Sequence, residues 1–193
     1  MSPARARTST DEIVGAGREL LEAGGLDAVT MQAVAERVGV RAPSLYKRVP
    51  NRAALIAAIG AAVLVDLRRE MEPLGSGADA AAALRAVAAA FRAFAHANPR
   101  SYELLFMSLA PDARPPAELN ALAAAPVLDL AARLAGPDHA LEAARLVTAF
   151  ANGFISMELS GAFRLGGSPD DAYAYGVDVL VDALAARRSG PKR

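Results

Sequence analysis

Basic residues are concentrated between positions 37 and 52, in a stretch that contains no acidic side chain. The cations are Arg37, Arg41, Lys47, Arg48 and Arg52. After Glu36 the next carboxylate is Asp66, and the formal net charge of the whole chain is +0. Unopposed cations at this density attract a polyanion, because each one that meets a phosphate releases a condensed counterion. This stretch therefore predicts local contact with a phosphate backbone.

Helix signals in the same stretch predict two short helices joined by a tight turn. Thr30 is a suitable N-cap, and the apolar residues after it recur at helical spacing, so a helix is expected from Met31 to Arg37. Gly39, two residues further on, is expected to end this helix. A second helix is expected from Ala42 to Val49, since Pro43 is tolerated in a first turn and Pro50 disfavours helix at the residue before it. The pattern predicts a helix-turn-helix, with an ordinary helical hairpin as the alternative.

The rest of the chain also has helical periodicity, with little sign of β-strands. A first helix follows a cap at Ser9 or Thr10 and ends at Gly24, and its apolar stripe would brace the two short helices. Alanine is abundant and aromatic residues make up 5% of the chain, which favours helix over strand. The remaining helices are predicted at 52–72, 79–97, 99–109, 116–135, 138–163 and 169–188, of which 138–163 is the longest. The expected fold is all-α, with about nine helices.

These helices suggest two domains. Residues 1–52 are expected to form a three-helix, helix-turn-helix DNA-binding domain, preceded by a tail in which Arg5 and Arg7 can reach a groove. Residues 53–193 are expected to form a helical bundle for ligand binding and dimerisation. No apolar run reaches 18 residues and the first residues lack a hydrophobic signal region, so we expect a cytoplasmic protein without a membrane span.

The amino-acid composition gives no indication of a catalytic site or a metal site. The chain has no cysteine, and its two histidines, His96 and His139, are far apart in sequence. No acid–base cluster, glycine-rich phosphate loop or activated nucleophile is evident, so we expect neither an enzyme nor a cofactor. An all-helical enzyme and a helical protein-interaction module are kept as the alternative classes. His96 lies near a helix end, where capping is its expected role.

The helix-turn-helix stretch resembles the tetracycline-repressor (TetR) family. The matching residues are Thr30, Gly39, Val40, Leu45, Tyr46, Arg48, Val49, Arg52 and Leu55. Arg48, Val49 and Arg52 replace the histidine, phenylalanine and lysine that are usual in the family, and Arg41 takes the place of a common capping serine. The resemblance implies DNA contacts by Thr30, Arg41, Ala42, Ser44, Tyr46, Lys47, Arg48 and Arg52.

The expected contacts differ in kind. Tyr46 and Lys47 are expected on phosphates, because most hydrogen bonds in such interfaces are made there. Arg41 could pair with a guanine edge or remain solvated. Thr30 and Arg52 stand at predicted helix N-termini, which favour a phosphate, although plain capping and solvation are the alternatives.

Residues 152–163 are similar to the carboxy-terminal ligand domain of TetR-type regulators named for a Trp-His-Gly signature, in whose place this chain has Ala151-Asn152-Gly153. Gly153 is expected to allow close helix packing.

A pocket between helices could be lined by Phe91, Phe94, Tyr102, Phe106, Met107, Phe150, Asn152, Met157 and Glu158, with core packing as the alternative for the aromatic residues. Few charged side chains, with Glu158 and Arg145 as the expected exceptions, would interrupt its apolar faces, so a small, mostly apolar effector that is neutral or weakly cationic is expected. Glu158 could lie in that cavity, in an ion pair or on a solvent face.

A two-fold, pseudo-palindromic operator requires two recognition helices, which one such chain does not supply. The resemblance therefore implies a homodimeric regulator, expected to be a repressor, that pairs through its last two long helices. The apolar residues expected at that interface are Val147, Ile155, Leu159, Val177, Leu180, Val181 and Leu184.

Overall fold

A computed structural model describes residues 9–77 and 79–189, and the tail with Arg5 and Arg7 lies outside them. Within the described residues the fold is all-α, with nine α-helices and no strand. The helices are α1 (Thr10–Gly24), α2 (Met31–Arg37), α3 (Ala42–Leu45), α4 (Arg52–Gly75), α5 (Ala80–Ala97), α6 (Pro99–Phe106), α7 (Ala117–Ala135), α8 (Ala140–Leu159) and α9 (Pro169–Ser189). None of these described helices combines the length and the hydropathy that a membrane crossing needs.

All nine predicted helices are present, but four of them end at least three residues from the expected position. The helix α3 stops at Leu45 rather than Val49. The chain continues as a turn, in which the amides of Arg48 and Val49 both donate to the carbonyl of Leu45 at 2.8 Å, and Pro50 disfavours helix at Val49. The helix α6 ends at Phe106 instead of Leu109, where the chain becomes extended at the next residue.

The end of α8 is set by a Schellman motif. Gly161 has a φ of 68°, and its amide donates to the carbonyl of Glu158 at 2.9 Å. The amide of Ala162 donates to the carbonyl of Met157, also at 2.9 Å, which completes the motif. The prediction that α8 reaches Phe163 is therefore wrong, and α4, with 24 residues, is the longest described helix.

The helix α4 continues past Pro73, where the sequence suggested a break. A proline in the last turn removes only one helical hydrogen bond, and the carbonyls left at this end find partners. The Ser76 hydroxyl donates to the carbonyl of Pro73 at 2.8 Å. The Arg133 guanidinium donates to the carbonyl of Gly75 at 3.1 Å. These two side chains cap the helix end.

The described residues form two compact units that are not contiguous in sequence. The first comprises residues 9–65 and 98–120, with α1 to α3, the first part of α4, and α6. In its core, Gly17 of α1 lies so close to α4 that a Cβ on it would be 2.7 Å from Cδ1 of Ile59. The Glu22 carboxylate accepts from the amide of Ser101 at 2.8 Å and so anchors the start of α6 on α1.

The second unit comprises residues 66–97 and 121–189, with the end of α4, α5, most of α7, α8 and α9. The helices α5, α8 and α9 contact one another pairwise and form its centre. At the crossing of α8 and α9, a Cβ on Gly176 would lie 2.2 Å from the ring of Phe150, so only glycine leaves room for that ring. The domain boundary expected after residue 52 stays a prediction.

Candidate nucleic-acid interface and ligand cavity

Local hydrogen bonds fix the turn between α2 and α3. The Thr30 hydroxyl accepts from the amide of Ala33 at 3.1 Å, which confirms the predicted N-cap and the start of α2. After α2, Gly39 has a φ of 70° and forms a second Schellman motif, in which the amide of Val40 donates to the carbonyl of Ala35 at 2.9 Å. The geometry is that of a helix-turn-helix.

The helix α3 and the turn after it have one buried face and one polar, exposed face. Leu45 is 0% exposed and Val49 is 3% exposed, so these two side chains anchor the segment in the core of the first unit. Tyr46 lies between them and is 51% exposed. Arg41, Ser44, Lys47 and Arg48 are also exposed, and Ala42 is partly exposed. This exposed surface of α3 and its following turn, residues 41–48, is called the recognition surface below.

The cations of this region divide into unpaired and engaged side chains. Arg41, Lys47 and Arg48 make no ion pair within the part of the chain that the structure describes. Arg37, in contrast, is paired with Glu19 of α1, with its Nη2 atom 2.5 Å from the carboxylate. The positive charge of the recognition surface is therefore available to an external anion, whereas that of Arg37 is largely compensated.

Arg52 makes internal contacts that the sequence did not reveal. Its Nε donates to the carbonyl of Val29 at 2.6 Å and its Nη2 to that of Leu26 at 2.5 Å. Asn51, not Arg52, caps α4, because its side chain accepts from the amide of Ala54 at 2.8 Å. Arg52 thus holds the segment that leads into α2, and this contact positions the cap residue Thr30 and the helix behind it.

A cavity of about 700 Å³ lies in the second unit, between α5, the end of α8 and α9. Four of its lining residues are apolar and are called the cavity floor below: Ala89, Ala93, Ala174 and Val177. Several of the other lining residues are charged. The lining residues are Arg85, Ala89, Arg92, Ala93, His96, Glu158, Asp170, Tyr173, Ala174, Val177 and Asp178. The expectation of few charged side chains is wrong for this cavity, and Arg145, which was expected to be one of them, is not part of its lining.

Glu158 is the centre of an ion-pair network in this cavity. Its side chain is 12% exposed and accepts two hydrogen bonds from Arg92, one of them from Nε at 2.8 Å. Arg92 also lies 2.5 Å from Asp170 of α9, and His96 Nε2 is 2.9 Å from Glu158. His96 therefore faces Glu158 instead of capping its own helix, contrary to the sequence-based expectation. Glu158 was expected in a cavity, in an ion pair or on a solvent face. The structure shows it in an ion pair within a cavity.

The same contacts shift the pKa values of the network. The hydrogen bond from Arg92 lowers the pKa of Glu158 to about 2, against the opposing effect of burial. The hydrogen bonds with Glu158 and Asp170 raise the pKa of Arg92 above its already high ordinary value. Burial raises the pKa of Tyr173 to about 12, and its hydroxyl donates to the carbonyl of Ala88 at 3.0 Å. All three groups therefore keep one protonation state at neutral pH.

Aromatic rings adjoin this network. The ring of Tyr173 lies 5.8 Å from that of Phe150, nearly parallel to it, and 5.2 Å from that of Phe154 in an edge contact. The guanidinium carbon of Arg92 is 5.4 Å from the centre of the Tyr173 ring, within cation–π range. Phe150 and Phe154 thus form a packed cluster behind the cavity wall.

The predicted ligand residues are divided between the two units. Tyr102, Phe106 and Met107 belong to the first unit, where Tyr102 is buried in the core and Met107 lines a separate cavity of about 300 Å³. The other six belong to the second unit: Phe91, Phe94, Phe150, Asn152, Met157 and Glu158. Phe94 is buried and Met157 is 48% exposed, and Glu158 alone among the nine lines the larger cavity.

Sequence reasoning missed the cations and acids that line this cavity. Arg85, Arg92 and His96 follow one another at seven and four residues, which puts them on one face of α5. Asp170 and Asp178 are eight residues apart on α9, also near one face. The stripe of charged residues on an alanine-rich helix could therefore have indicated that this face lines a polar site.

The apolar residues expected at a dimer interface are mostly in the core. Val147, Ile155, Val177, Val181 and Leu184 are each at most 7% exposed, because α5, α8 and α9 pack their apolar faces on one another. The expectation that they remain bare in the monomer is wrong. The outward faces of α8 and α9 instead carry other apolar and small residues: Leu146, Ala149, Gly153, Met157, Tyr175, Val179 and Ala183.

Gly153 was expected to allow close helix packing, and no described helix of this chain packs against it. A Cβ on Gly153 would meet nothing within 4 Å among the described residues, because the glycine is on the outward face of α8. The glycine that does allow close packing inside the unit is Gly176.

Two family models match the chain. Residues 7–59 match the amino-terminal domain described as bacterial regulatory proteins of the tetR family. Residues 84–180 match the domain described as tetracyclin repressor-like, C-terminal. The two matches cover the helix-turn-helix and the cavity of the second unit.

Individual relatives agree with these matches. The chain is 28% identical to an uncharacterized HTH-type transcriptional regulator of Mycobacterium tuberculosis, over 81% of this chain and 72% of the relative. It is 26% identical to the class A tetracycline repressor protein from transposon 1721 of Escherichia coli, over 91% and 90% of the two chains. A minocycline-bound TetR variant of Acinetobacter baumannii has a similar fold, with a TM-score of 0.70, 23% identity and coverage of 95% and 99%.

Proposed function

The chain belongs to the TetR family of bacterial transcriptional regulators, and we propose that it is a repressor that binds a pseudo-palindromic operator as a homodimer and is released by a small molecule. The observation that supports DNA binding best is the recognition surface. Its buried anchors, Leu45 and Val49, hold Tyr46 and the neighbouring cations outward, and these cations have no internal ion pair among the described residues. A helix held in this way is suited to a major groove.

The proposed contacts divide by chemistry. The ammonium group of Lys47 would pair with one phosphate, and the guanidinium of Arg48 would donate two parallel hydrogen bonds to another. The Tyr46 hydroxyl would donate to a phosphate oxygen. Thr30 accepts one amide bond but keeps its own hydroxyl proton for a phosphate. Arg41, Ala42 and Ser44 lie at the start of α3, where base edges come within reach. Arg52 would act mainly by positioning, since carbonyls already accept from its guanidinium.

A gel-shift screen with DNA flanking the chain's own gene tests the proposal. We expect one discrete complex that competitor DNA of unrelated sequence does not remove, because specific sites bind about 10³-fold or more tighter than non-specific DNA. Binding to all fragments alike would contradict a specific operator.

Replacing Lys47 with Ala is expected to flatten the salt dependence of operator affinity. Each phosphate contact contributes about −0.9 to the slope of log K against log salt concentration, so the slope should fall by about one unit. Fluorescence anisotropy at several salt concentrations measures it. The matched control is Arg69→Ala, which removes an exposed cation far along α4 and should leave the slope unchanged. An unchanged slope for Lys47→Ala would show that Lys47 is only solvated.

Replacing Tyr46 with Phe is expected to weaken operator binding by about 1 kcal/mol, the scale of one hydrogen bond. Tyr46 is 51% exposed, so the melting temperature should stay nearly the same. Anisotropy titration and thermal denaturation measure the two effects. Full operator affinity of Tyr46→Phe would exclude a contact through the hydroxyl.

Homodimerisation is supported by the outward faces of α8 and α9. Leu146 and Met157 on α8 are 50% and 48% exposed, and Tyr175 and Val179 on α9 are 72% and 48% exposed. Between the two exposed positions on α8, Gly153 would let a partner helix approach closely. A second copy that packs its own α8 and α9 there would bury these residues in a four-helix interface.

Release by a small molecule is supported by the cavity of the second unit. Its volume of about 700 Å³ is within the usual range for ligand sites. Its floor of Ala89, Ala93, Ala174 and Val177 suits an apolar body. A ligand that prefers a conformer with wrongly spaced recognition helices by about 2 to 3 kcal/mol would reduce operator occupancy tens- to over a hundred-fold. We propose α4 as the transmitting element, since it has residues in both units.

A further inference from the structure

One charged cluster of the cavity is built around Arg92 of α5. Its guanidinium is paired with Glu158, which is 12% exposed, and with Asp170, which is 79% exposed. One guanidinium carries one positive charge and faces two carboxylates. Arg92, Glu158 and Asp170 together therefore carry one negative charge in excess, and Asp170 presents it toward solvent.

A second cluster is built around Arg85, also of α5. Its Nε lies 2.6 Å from Asp178, and its Nη2 lies 3.6 Å from Asp182. Here again one cation faces two carboxylates, so this cluster also has one negative charge in excess. Asp178, which is 55% exposed, lines the cavity, whereas Asp182, which is 79% exposed, adjoins it through Arg85. The excess charge of this cluster therefore acts at this end of the cavity.

The separation between the two clusters follows from helix geometry. Arg85 and Arg92 are seven residues apart on α5, and a rise of about 1.5 Å per residue puts their positions about 10 Å apart. Asp170 and Asp178 are eight residues apart on α9, which corresponds to about 12 Å. Between the clusters the cavity floor is made of Ala89, Ala93, Ala174 and Val177, whose small side chains leave the space open.

We propose that this cavity binds dications in which two ammonium groups are joined by a linear apolar spacer of about 10 to 12 Å. One ammonium would neutralise the excess charge at Asp170 and the other that at Asp178, while the spacer lies on the alanine floor. A dianion of the same length would meet the two exposed carboxylates, and a neutral chain would leave both charges uncompensated. The inference rests on the proposed regulator only in giving its effector a chemical class.

Isothermal titration calorimetry with linear diamines tests the proposal on the full chain without DNA, at about pH 8, where an ordinary imidazole is neutral. Octamethylenediamine, whose extended length matches the separation of the clusters, is expected to bind about tenfold more tightly than octylamine, which has one ammonium. Its affinity should exceed that of tetramethylenediamine, which is too short to reach both clusters, by a similar factor. The dianion suberate should not bind.

Two substitutions locate the site. Asp170→Asn and Asp178→Asn are each expected to weaken octamethylenediamine binding by about threefold to tenfold, and to leave octylamine binding less affected. Asp129→Asn is the matched control, because Asp129 is an exposed, arginine-paired aspartate on α7 outside the cavity. Its affinity for the diamine should equal that of the unchanged chain. Circular dichroism melts of all three variants establish that they fold.

Equal affinities for octylamine and octamethylenediamine, or no dependence on diamine length, would overturn the proposal. So would binding of suberate, or an unchanged diamine affinity in both aspartate variants. The role in release is read separately, from operator anisotropy with and without the diamine. A diamine that binds but does not release the operator would contradict the effector role and leave the site established.

Discussion

Replacing Val179 with Glu is expected to convert the proposed dimer into monomers at micromolar concentration and to reduce operator affinity by more than about a hundredfold. Val179 is 48% exposed on the outward face of α9, where the partner chain is proposed to pack. A carboxylate there would have to be buried without a partner. Loss of the dimer removes the second recognition helix, and a single half-site contact cannot maintain binding to a two-fold operator.

Sedimentation velocity and operator anisotropy measure the two effects on the same preparation. Val65→Glu is the matched control, because Val65 is 44% exposed but lies on α4, outside the proposed interface. It should remain dimeric and bind normally. A Val179→Glu chain that still sediments as a dimer would show that α9 does not form the interface, and that the exposed residues of its outward face have another purpose.

Replacing Arg92 with Ala is expected to lower the free energy of unfolding near neutral pH by about 2 to 3 kcal/mol. Glu158, 12% exposed, would lose its bidentate partner and keep its negative charge. The ring of Tyr173 would lose its cation contact as well. Urea denaturation monitored by circular dichroism measures the change. Arg68→Ala, which removes an exposed i,i+4 pair with Glu72, is the control and should cost about 0.5 kcal/mol or less.

The loss caused by Arg92→Ala should depend on pH in a defined direction. In the folded chain the pKa of Glu158 is lowered to about 2, so its stabilising contribution is present above the ordinary carboxyl pKa. That contribution is lost as the pH falls through the interval between the ordinary pKa and about 2. The difference in the free energy of unfolding between the unchanged chain and Arg92→Ala should therefore shrink as the pH is lowered through this range. A difference that stays constant down to about pH 3 would show that Glu158 is not the group involved.

Short-range signals in the sequence determined most of the helix framework. The cap at Thr30 and the glycine at position 39 act through hydrogen bonds that span three to five residues, and both are found where they were predicted. The end of α8 depends on the same kind of signal, a Schellman motif at Gly161, and could have been read from the sequence. The all-α fold and the placement of the helix-turn-helix thus follow from interactions within one or two helical turns.

Contacts between distant residues were decided only by the tertiary structure. Arg92 and Glu158 are 66 residues apart, and their pairing depends on how α5 and α8 are rotated about their own axes. The same rotation buries Val147 and Ile155 and leaves Leu146 and Met157 outside, although all four side chains are apolar. Apolar periodicity shows that a helix has a buried face, but an alanine-rich helix offers several faces of nearly equal hydrophobicity. Packing against neighbouring helices selects one of them, and with it the composition of the cavity and of the outward face.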